Sequence, residues 1–373
     1  MKKKIYFFAS FGDFRNIPAG GGQTAARRLL TLLRKQGYEV STFNRHRYYF
    51  ENRIIDRLSL VLFVVIDPIL FFFNLLSKSN KDTITLYMGY TGSILVFDYL
   101  ITKVMNLLNF HCIMYLAGGK ALQAYQKGSS RYKRMFERMM KMYDEVMTEG
   151  WENIQLVNSV SSKTRTFYLP NYTEDNFAPD TFPDKPNDVI NLIYFGRIAP
   201  TKNVLLIIDI FEILCEQYKN LTLTIAGSGP SWYVKKVDSK IVASNYHDKI
   251  IRYDRIDHNK LVDVIKDRHF YIFPSNEPCE GHSNALNEAM SWGLIPVVSD
   301  NNFLPSIVGD ESLVAHEFEP EPFVDIIVSL IENRELLEEK SKQIYKRVKE
   351  NYTQIVVESR LNEELSNFFE EIR

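Results

Sequence analysis

The sequence predicts an α/β protein built from two doubly wound, Rossmann-like domains in tandem. Short apolar runs that end in glycine or polar residues alternate with segments of helical spacing, and this alternation occurs twice along the chain. A proline-rich, acidic segment over 175–188 separates the two series and is interpreted as a linker. The 373 residues are enough for two to three domains if each takes about 150 residues.

The first series opens with an apolar run over 5–10, which a glycine-containing loop and a helical pattern over 23–36 follow. Gly37 ends that helix, and the next predicted strand, 39–43, completes a strand–helix–strand unit. Such units build parallel sheets with helices on their faces. Further strands of this series are predicted at 83–88, 111–116 and 145–148.

The second series repeats the alternation with a strand at 189–195 and helices at 204–217 and 284–292. Because parallel sheets bind ligands at the carboxyl ends of their strands, the two sheets are expected to face each other across a cleft that holds the active site. Its other strands are predicted at 221–226, 250–253, 270–274 and 295–299. The predicted domains cover 1–180 and 189–352, and a last helix covers 353–373.

Composition excludes several classes of protein. With 45% hydrophobic residues the chain is too apolar to be disordered. The 45 Lys and Arg against 46 Asp and Glu give a charge of −1, so no nucleic-acid partner is expected. The three cysteines show no C-x-x-C spacing, which argues against a disulfide framework and a zinc site and favours a cytoplasmic location.

The apolar stretch 58–76 is nearly long enough to span a bilayer. Asp67 and Pro68 interrupt it, so we favour a buried core helix that ends at Asp67, followed by a second apolar segment. A third interpretation stays open, in which one side of this region rests on an anionic membrane surface. The basic residues that flank the stretch are Arg45, Arg47, Arg53, Arg57, Lys78 and Lys81.

The most informative motif, EGHSNALNEAM, runs from Glu280 to Met290. A buried strand ends just before it, a polar loop carries Glu280, and a helix begins near Ser283. Free N–H groups at a helix start can bind a phosphate or sugar hydroxyls, and Glu280 and Glu288 can accept hydrogen bonds from hydroxyls of one extended ligand. The alternative is that Glu280 is merely solvated and Ser283 is only a helix cap.

A second motif, GR-x4-K, follows the strand 189–195 with Arg197 and Lys202. A planar guanidinium fork and a mobile ammonium together suit a diphosphate, although ordinary surface charge is the alternative. The glycine run 20–22 before a helix is a weaker third signal, since it lacks the full G-x-G-x-x-G spacing.

Together these motifs resemble the retaining GT-B glycosyltransferases of family 4, of the bacterial polysaccharide-assembly type. The resemblance rests on four segments in order, namely Arg197 with Lys202, the AGSGP turn over 226–230, the motif over 280–290 and the GLIPVVS strand over 293–299. It covers most of the chain, strongly after Val189 and diffusely before it.

The resemblance implies that the domain over 1–180 binds the acceptor, that the domain over 189–352 binds the nucleotide sugar, and that the last helix returns to the N-terminal domain. It also implies a role for each matched residue. Arg197 and Lys202 would hold the donor diphosphate and Glu280 would contact the donor sugar, so these three are the predicted catalytic residues. Glu288 would bind the ribose. The remaining donor-binding residues implied are Gly22, Gln23, Arg255, Ile256, Gly281, His282, Ser283, Asn284 and Ala285.

On the acceptor side the chain departs from many relatives, because Gly118 and Gly119 stand where those relatives carry a histidine. His282 lies inside the main motif, but its backbone rather than its ring is the expected contact. No histidine has a metal-ligand spacing and no D-x-D occurs, so an enzyme without metal or cofactor is expected, with the two cations replacing a divalent ion.

The predicted function is therefore retaining transfer of a hexosyl or N-acetylhexosaminyl group from a nucleotide diphosphate sugar, with UDP favoured over GDP. The expected acceptor is a hydroxyl of a glycan, in particular a lipid-linked oligosaccharide of O-antigen, capsule or exopolysaccharide assembly at the inner face of the plasma membrane. Two alternatives remain open at this point: a non-hydrolysing sugar-nucleotide epimerase and a non-catalytic nucleotide-sugar-binding subunit.

Overall fold

The protein is described by a computed structural model over residues 3–16, 21–45, 52–78, 83–89, 91–92, 94–186 and 188–372. The chain divides into two compact units. Unit 1 comprises the chain up to Pro170 together with Glu358–Arg373, and unit 2 comprises Asn171–Val357. Each unit contains a six-stranded parallel sheet, which confirms the predicted fold class of two Rossmann-like α/β domains.

Unit 1 alternates strands and helices along most of its length. Its strands are β1 (Lys4–Ala9), β2 (Glu39–Asn44), β3 (Thr83–Gly89), β4 (His111–Leu116), β5 (Glu145–Thr148) and β6 (Arg165–Tyr168). Its helices are α1 (Gly21–Lys35), α2 (Arg53–Leu76), α3 (Leu95–Leu107), α4 (Lys120–Lys127), α5 (Ser130–Met140) and α6 (Trp151–Val160). The strand order in the sheet is β2-β1-β3-β4-β5-β6.

Unit 2 repeats this architecture. Its strands are β7 (Ile190–Phe195), β8 (Leu221–Ala226), β9 (Ile250–Tyr253), β10 (Phe270–Phe273), β11 (Ile295–Ser299) and β12 (Val314–Ala315). Its helices are α7 (Val204–Gln217), α8 (Ser231–Ala243), α9 (His258–Ile265), α10 (Asn284–Ser291), α11 (Leu304–Val308), α12 (Pro320–Ile331) and α13 (Arg334–Asn351). The last helix, α14 (Gln354–Glu371), joins unit 1 from Glu358 onward.

The strand order of unit 2, β12-β11-β10-β7-β8-β9, determines where its loops meet. The chain runs outward from β7 to β9 and then returns to place β10 on the other side of β7. The loops after β7 and β10 therefore diverge at a topological switch point, which is where doubly wound sheets bind their ligands.

The division between the units falls earlier than the sequence predicted. Residues 171–180 group with unit 2, not with the N-terminal domain. The indole N–H of Trp292 donates to the Phe177 carbonyl at 2.9 Å, and the Tyr345 hydroxyl donates to the Pro179 carbonyl at the same distance. The prediction of a linker from 175 onward was therefore wrong in its first part, because composition does not reveal that Phe177 is buried.

The predicted end of the apolar helix at Asp67 was also wrong, since α2 continues through Pro68 to Leu76. Phe63 before the proline and Phe71 and Leu75 after it are buried in one core cluster. A proline inside a helix costs about 3 kcal/mol or more, and the burial of these large side chains on both sides of it offsets that cost.

A buried carboxyl group ties the last helix to the sheet of unit 1. The Arg165 guanidinium lies 3.1 Å from the Glu145 carboxylate and also pairs with Glu364 and Glu371 of α14. The Glu145 side chain is inaccessible to solvent. Burial, reinforced by the neighbouring Glu364, raises the pKa of Glu145 to about 9.

The substitution Glu145→Gln is expected to flatten the pH dependence of stability. The folded chain binds this proton more tightly than the unfolded chain, whose carboxyl has a pKa near 4.5. The wild type should therefore lose stability as the pH rises through that window, by up to about 1.4 kcal/mol per pH unit. Melting temperatures between about pH 5 and pH 8.5 measure the effect.

The control for this experiment is Glu363→Gln, because Glu363 is exposed on the same helix, α14. It should keep the slope of the wild type, whereas Glu145→Gln should gain in melting temperature relative to the wild type toward high pH. Parallel profiles for Glu145→Gln and the wild type would contradict the assigned pKa direction.

Candidate functional site

The candidate site of unit 2 is built on the loops that follow the neighbouring strands β7 and β10. The Asn276 N–H donates to the Thr201 carbonyl at 2.9 Å, and the Asn203 side-chain amide donates to the Pro274 carbonyl at 2.9 Å. Asn203 adopts a left-handed conformation, φ +51°, between a short 3-10 turn and α7. These hydrogen bonds hold the two loops together at the switch point of the sheet.

Lys202 and Glu280 form an ion pair across the two loops. Their side chains are only 10% and 9% exposed, and the Ser275 hydroxyl donates to the same carboxylate oxygen. The Lys202 ammonium also lies 5.1 Å from the ring centroid of Phe273. Two residues that the sequence assigned to separate parts of a ligand are therefore direct partners here.

Arg197 pairs with Glu277, a residue that the sequence analysis did not identify. The distance between Arg197 Nη2 and Glu277 Oε2 is 2.8 Å, and the Thr201 hydroxyl donates to the same oxygen at 2.7 Å. The Arg197 side chain remains 61% exposed. The sequence did contain a signal for Glu277: two glutamates follow one predicted strand, and two cations follow another. The structure pairs them across neighbouring loops.

A glycine turn fixes the backbone on which Arg197 stands. A Cβ atom on Gly227 would lie 1.8 Å from the Gly196 carbonyl oxygen, so the two loops approach closer than any side chain permits. Gly227 also has a φ of +150°. The Ile198 N–H donates to the Ser228 carbonyl at 2.9 Å, which joins the loop of Arg197 to the glycine turn.

Two buried tyrosines support the same loop from below. The Tyr194 hydroxyl donates to the Arg197 carbonyl at 2.7 Å, and the Tyr271 hydroxyl donates to the Phe195 carbonyl at 3.0 Å. Burial raises the pKa of both phenols, and the negative charge of Glu280 raises each pKa further. The two phenols therefore stay neutral and serve as hydrogen-bond donors that hold the backbone.

The loop that carries Glu280 leads into α10, which begins where the sequence predicted. Ser283 is the N-cap, and its hydroxyl accepts from the Leu286 N–H at 3.3 Å. Glu288, one turn into α10, has a 14% exposed side chain that lies 3.8 Å from His258 Nδ1. The predicted donor-binding residues of this segment that are half-buried are Gly281, Ser283, Asn284, Ala285 and Glu288.

His282 is buried, and its ring has a structural environment. Its Nε2 lies 2.9 Å from Asn287 Oδ1, and its ring meets that of Tyr352 edge-on at 4.8 Å. The Asn171 side chain donates to the His282 carbonyl at 2.6 Å, and Asn287 donates in turn to the Asn171 carbonyl at 2.9 Å. This network fixes the loop between Glu280 and α10, and the sequence analysis did not identify its buried asparagine Asn287.

The structure places the remaining predicted donor residues at sheet edges and helix starts. Arg255 and Ile256 follow the carboxyl end of β9 in unit 2. Gly22 and Gln23 lie in the first turn of α1 in unit 1. The Gln23 side chain packs against the loop after β1. Its amide oxygen lies 2.7 Å from the position that a Cβ atom on Gly12 would take.

Gly118 and Gly119, the predicted acceptor-side residues, connect β4 to α4. Gly118 has a φ of +71°, so the chain needs a glycine here for conformational reasons. The Gly118 N–H donates to the buried Glu149 carboxylate at 3.1 Å, and its carbonyl accepts from the Asn153 side chain at 3.0 Å. The departure from a histidine is thus accompanied by a tightly bonded turn.

In the part of the chain that the structure describes, no group of three or more His, Cys, Asp or Glu residues is arranged to hold a metal ion. The absence of a metal requirement stays a prediction.

The geometry of unit 2 agrees with a family match. Residues 175–350, most of unit 2, match the family model described as "Glycosyl transferases group 1". This segment, a little under half of the chain, is therefore similar to the group 1 glycosyltransferases. The resemblance inferred from the motifs is confirmed at this level.

Curated relatives carry similar names. The chain is 22% identical over 195 residues to a phosphatidylinositol N-acetylglucosaminyltransferase subunit of Arabidopsis thaliana, a match that covers 51% of this chain and 43% of that protein. It is 28% identical over 157 residues to the capsular polysaccharide biosynthesis glycosyltransferase CapH of Staphylococcus aureus, covering 37% of this chain and 43% of that protein. The chain thus spans less than half the length of these relatives.

Solved structures match nearly the whole chain. Sucrose-phosphate synthase from Thermosynechococcus elongatus has a TM-score of 0.74 at 16% identity, covering 99% of this chain and all of that one. HepE of Anabaena, solved in complex with UDP, has a TM-score of 0.69 at 12% identity, covering 98% of this chain and all of that one. At such identities the likeness shows the shared two-domain GT-B fold.

Proposed function

We propose that the protein is a retaining glycosyltransferase that moves a sugar from a nucleotide diphosphate sugar to an acceptor hydroxyl. One observation carries the proposal: at the switch point of the unit 2 sheet, Arg197 and Lys202 pair with carboxylates of the loop that leads into α10. Two cations and the backbone N–H groups at the start of a helix suit a diphosphate. A buried carboxylate beside them suits a hydroxyl-rich sugar.

In this proposal the two cations stabilise the negative charge that develops on the departing diphosphate. The exposed Arg197 exchanges its contact with Glu277 for the distal part of the diphosphate. Lys202 stays anchored by Glu280, which orients it and accepts hydrogen bonds from the donor sugar. A donor phosphate oxygen takes the proton of the acceptor hydroxyl as the new glycosidic bond forms and the bond from the sugar to the diphosphate breaks.

The donor we propose is a UDP-sugar that carries a hexosyl or N-acetylhexosaminyl group. UDP and UDP-glucose are the ligands named for HepE, and relatives are named as N-acetylglucosaminyl- and alpha-glucosyltransferases. Glu288, half-buried in α10, would receive the ribose hydroxyls. The proposed reaction needs no metal, because the two cations act on the leaving group.

The acceptor we propose is a glycan hydroxyl on a lipid-linked oligosaccharide at the cytoplasmic face of a membrane. Names among the relatives support a polysaccharide or lipid acceptor, since they include a capsular polysaccharide enzyme and a component of a phosphatidylinositol N-acetylglucosaminyltransferase.

Thermal unfolding with nucleotides tests the donor site. UDP is expected to raise the melting temperature more than GDP or ADP at equal concentration. At a hundredfold excess over its dissociation constant, UDP should add about 2.7 kcal/mol to the free energy of unfolding. Uridine, which lacks the diphosphate, should give a smaller shift. Arg197→Ala should weaken the shift with UDP and leave the shift with uridine unchanged.

The matched control is Lys240→Ala, which removes a cation paired with Asp209 on the surface of unit 2 and should keep both shifts. No shift with any nucleotide diphosphate would contradict the proposal. Product analysis then separates the remaining alternatives: an epimerase converts the nucleotide sugar without an acceptor, a non-catalytic subunit leaves it intact, and a retaining transferase gives the donor's anomeric configuration in the product.

A further inference from the structure

The outer side of α2 is a continuous apolar surface. Between Leu58 and Phe73, every exposed residue of α2 is a large hydrophobic one, and the exposed fractions of these residues run from 44% to 62%. Apolar patches of this kind are rare on soluble monomers and mark interaction sites. The residues are Leu58, Val61, Leu62, Val65, Ile66, Ile69, Leu70 and Phe73.

The neighbouring helix α3 extends this surface. Phe63 of α2 stacks on Phe97 of α3 with ring centroids 4.3 Å apart, so the two helices lie side by side on one core. The exposed residues of α3 with large apolar side chains are Val96, Leu100 and Leu107, spaced along one face of the helix.

On the other side of α3 lies α5, whose buried residues Phe136, Met139 and Met140 belong to the same core. Its solvent face is basic. Residues 117–143 contain seven Lys and Arg but one acidic residue, Glu137. The exposed cations Lys127, Arg131, Arg134, Arg138 and Lys141 recur at spacings of three and four, which places those of α5 on one face of the helix.

We infer that α2, α3 and α5 of unit 1 form a docking surface for an anionic lipid bilayer. The three helices pack on one core, so their solvent faces belong to one side of the unit. The apolar faces of α2 and α3 enter the acyl boundary, and the basic face of α5 contacts anionic headgroups. A second copy of the chain is a poorer occupant, because it would bring the same basic face against itself.

The helix α2 lies on the bilayer and does not cross it. By length and composition Ile54–Leu76 could span a membrane. Phe63, Asp67, Phe71 and Leu75, however, are all at most 4% exposed within unit 1, so one side of α2 belongs to the protein core. A helix that is half core and half exposed hydrocarbon is suited to the interface.

The structure corrects the basic residues that the sequence assigned to such a contact. Arg45 cannot face lipid, because it is buried, bonds to the Tyr87 hydroxyl at 3.0 Å and lies over the Phe97 ring. Arg57 and Lys78 at the ends of α2 are exposed. Arg47, Lys81 and the side chain of Arg53 lie outside the described residues.

Vesicle flotation tests the inference, which rests on the proposed function only for the lipid-linked acceptor that docking would serve. The full chain is expected to float with phosphatidylcholine vesicles that contain about 30% phosphatidylglycerol and to float less with pure phosphatidylcholine or at high salt. Arg131→Glu with Arg134→Glu should lower the partition coefficient about 30-fold or more. Val65→Asp with Phe73→Asp should also lower it.

The matched control is Lys235→Glu with Lys236→Glu, which makes the same charge change at exposed positions of α8. It should float like the wild type, and melting temperatures establish that each variant is folded. Equal flotation of the α5 variant and this control would overturn the inference. So would a wild type that does not float but forms a dimer, by sedimentation, that Val65→Asp with Phe73→Asp dissociates.

The UDP-induced melting shift, measured on the same preparations, separates the two proposals. Flotation without a UDP-induced change in melting temperature would support the docking surface and contradict the donor site. A nucleotide shift without flotation overturns the docking surface alone.

Discussion

Replacing Lys202 with methionine is expected to lower the turnover number about 100-fold or more, the loss typical of removing one group that stabilises transition-state charge. Methionine keeps much of the length of the side chain and its contact with the Phe273 ring but removes the cation. Steady-state kinetics with a UDP-sugar and an acceptor measure the effect. Turnover equal to that of the wild type would contradict the role given to Lys202.

The same substitution also lowers the free energy of unfolding, and this loss of stability has to be separated from the loss of turnover. Without Lys202, Glu280 is left as a buried carboxylate with its cation removed, a change that typically destabilises a protein by about 3–5 kcal/mol. The double variant Lys202→Met with Glu280→Gln removes both charges. It should recover much of the lost melting temperature while its turnover remains low, which a purely structural pair would not do.

The surface pair of Lys240 and Asp209 provides the matched control. Lys240→Met should change the free energy of unfolding by about 0.5 kcal/mol or less and leave turnover unaffected. A comparable loss of turnover in this control would show that the assay responds to charge in general.

The substitution Gly227→Ala should cause the second largest effect. Its new methyl group would overlap the Gly196 carbonyl oxygen at 1.8 Å, and alanine is strained at a φ of +150°. The loop of Arg197 has to move away from the glycine turn, and misplacing a catalytic group by about 1 Å can cost about 100-fold in rate. We therefore expect kcat/KM to fall by about that factor, together with the melting temperature.

Gly21→Ala is the control for this change, because a Cβ atom on Gly21 meets nothing within 4 Å. It should retain the melting temperature of the wild type, since alanine favours a helix more than glycine does. If Gly227→Ala kept both wild-type stability and wild-type kcat/KM, the close contact between the two loops would not control the position of Arg197.

The sequence predicted the strands well because their signals are local. The strands at 111–116, 145–148, 221–226, 250–253 and 295–299 occur at the predicted bounds. Each is a short apolar run with a turn or helix signal beside it, and a strand buried on both faces requires little more. The helix start at Ser283 was predictable for the same reason, since a cap depends on residues three positions apart.

The errors arose where distant packing overrides a local signal. Pro68 predicts a helix end, but the burial of Phe63 and Phe71 on one core carries α2 past it. Pro179 and its neighbours indicate a linker, but Trp292 and Tyr345 hold that segment on unit 2. In both cases the deciding contacts come from other elements, which a periodicity cannot show.

The candidate site divides in the same way. The types and places of Arg197, Lys202, Glu280 and Glu288 could be predicted, because each follows a strand or opens a helix in a motif with a chemical meaning. Their partners could not. Glu277 stands 80 positions from Arg197, and only the register of β7 beside β10 brings the two side chains together.

The sequence by itself determined the alternation of strands and helices, the glycine turns and the set of charged groups, because these depend on residues close together in the chain. The tertiary structure decided which carboxylate pairs with each cation and that His282 is buried as a structural residue. It also decided that Arg45 is buried and that the apolar face of α2 lies on the same side of unit 1 as the basic face of α5. Those outcomes depend on strand order and on burial, in which residues up to a hundred or more positions apart compete for the same partners and for the same core.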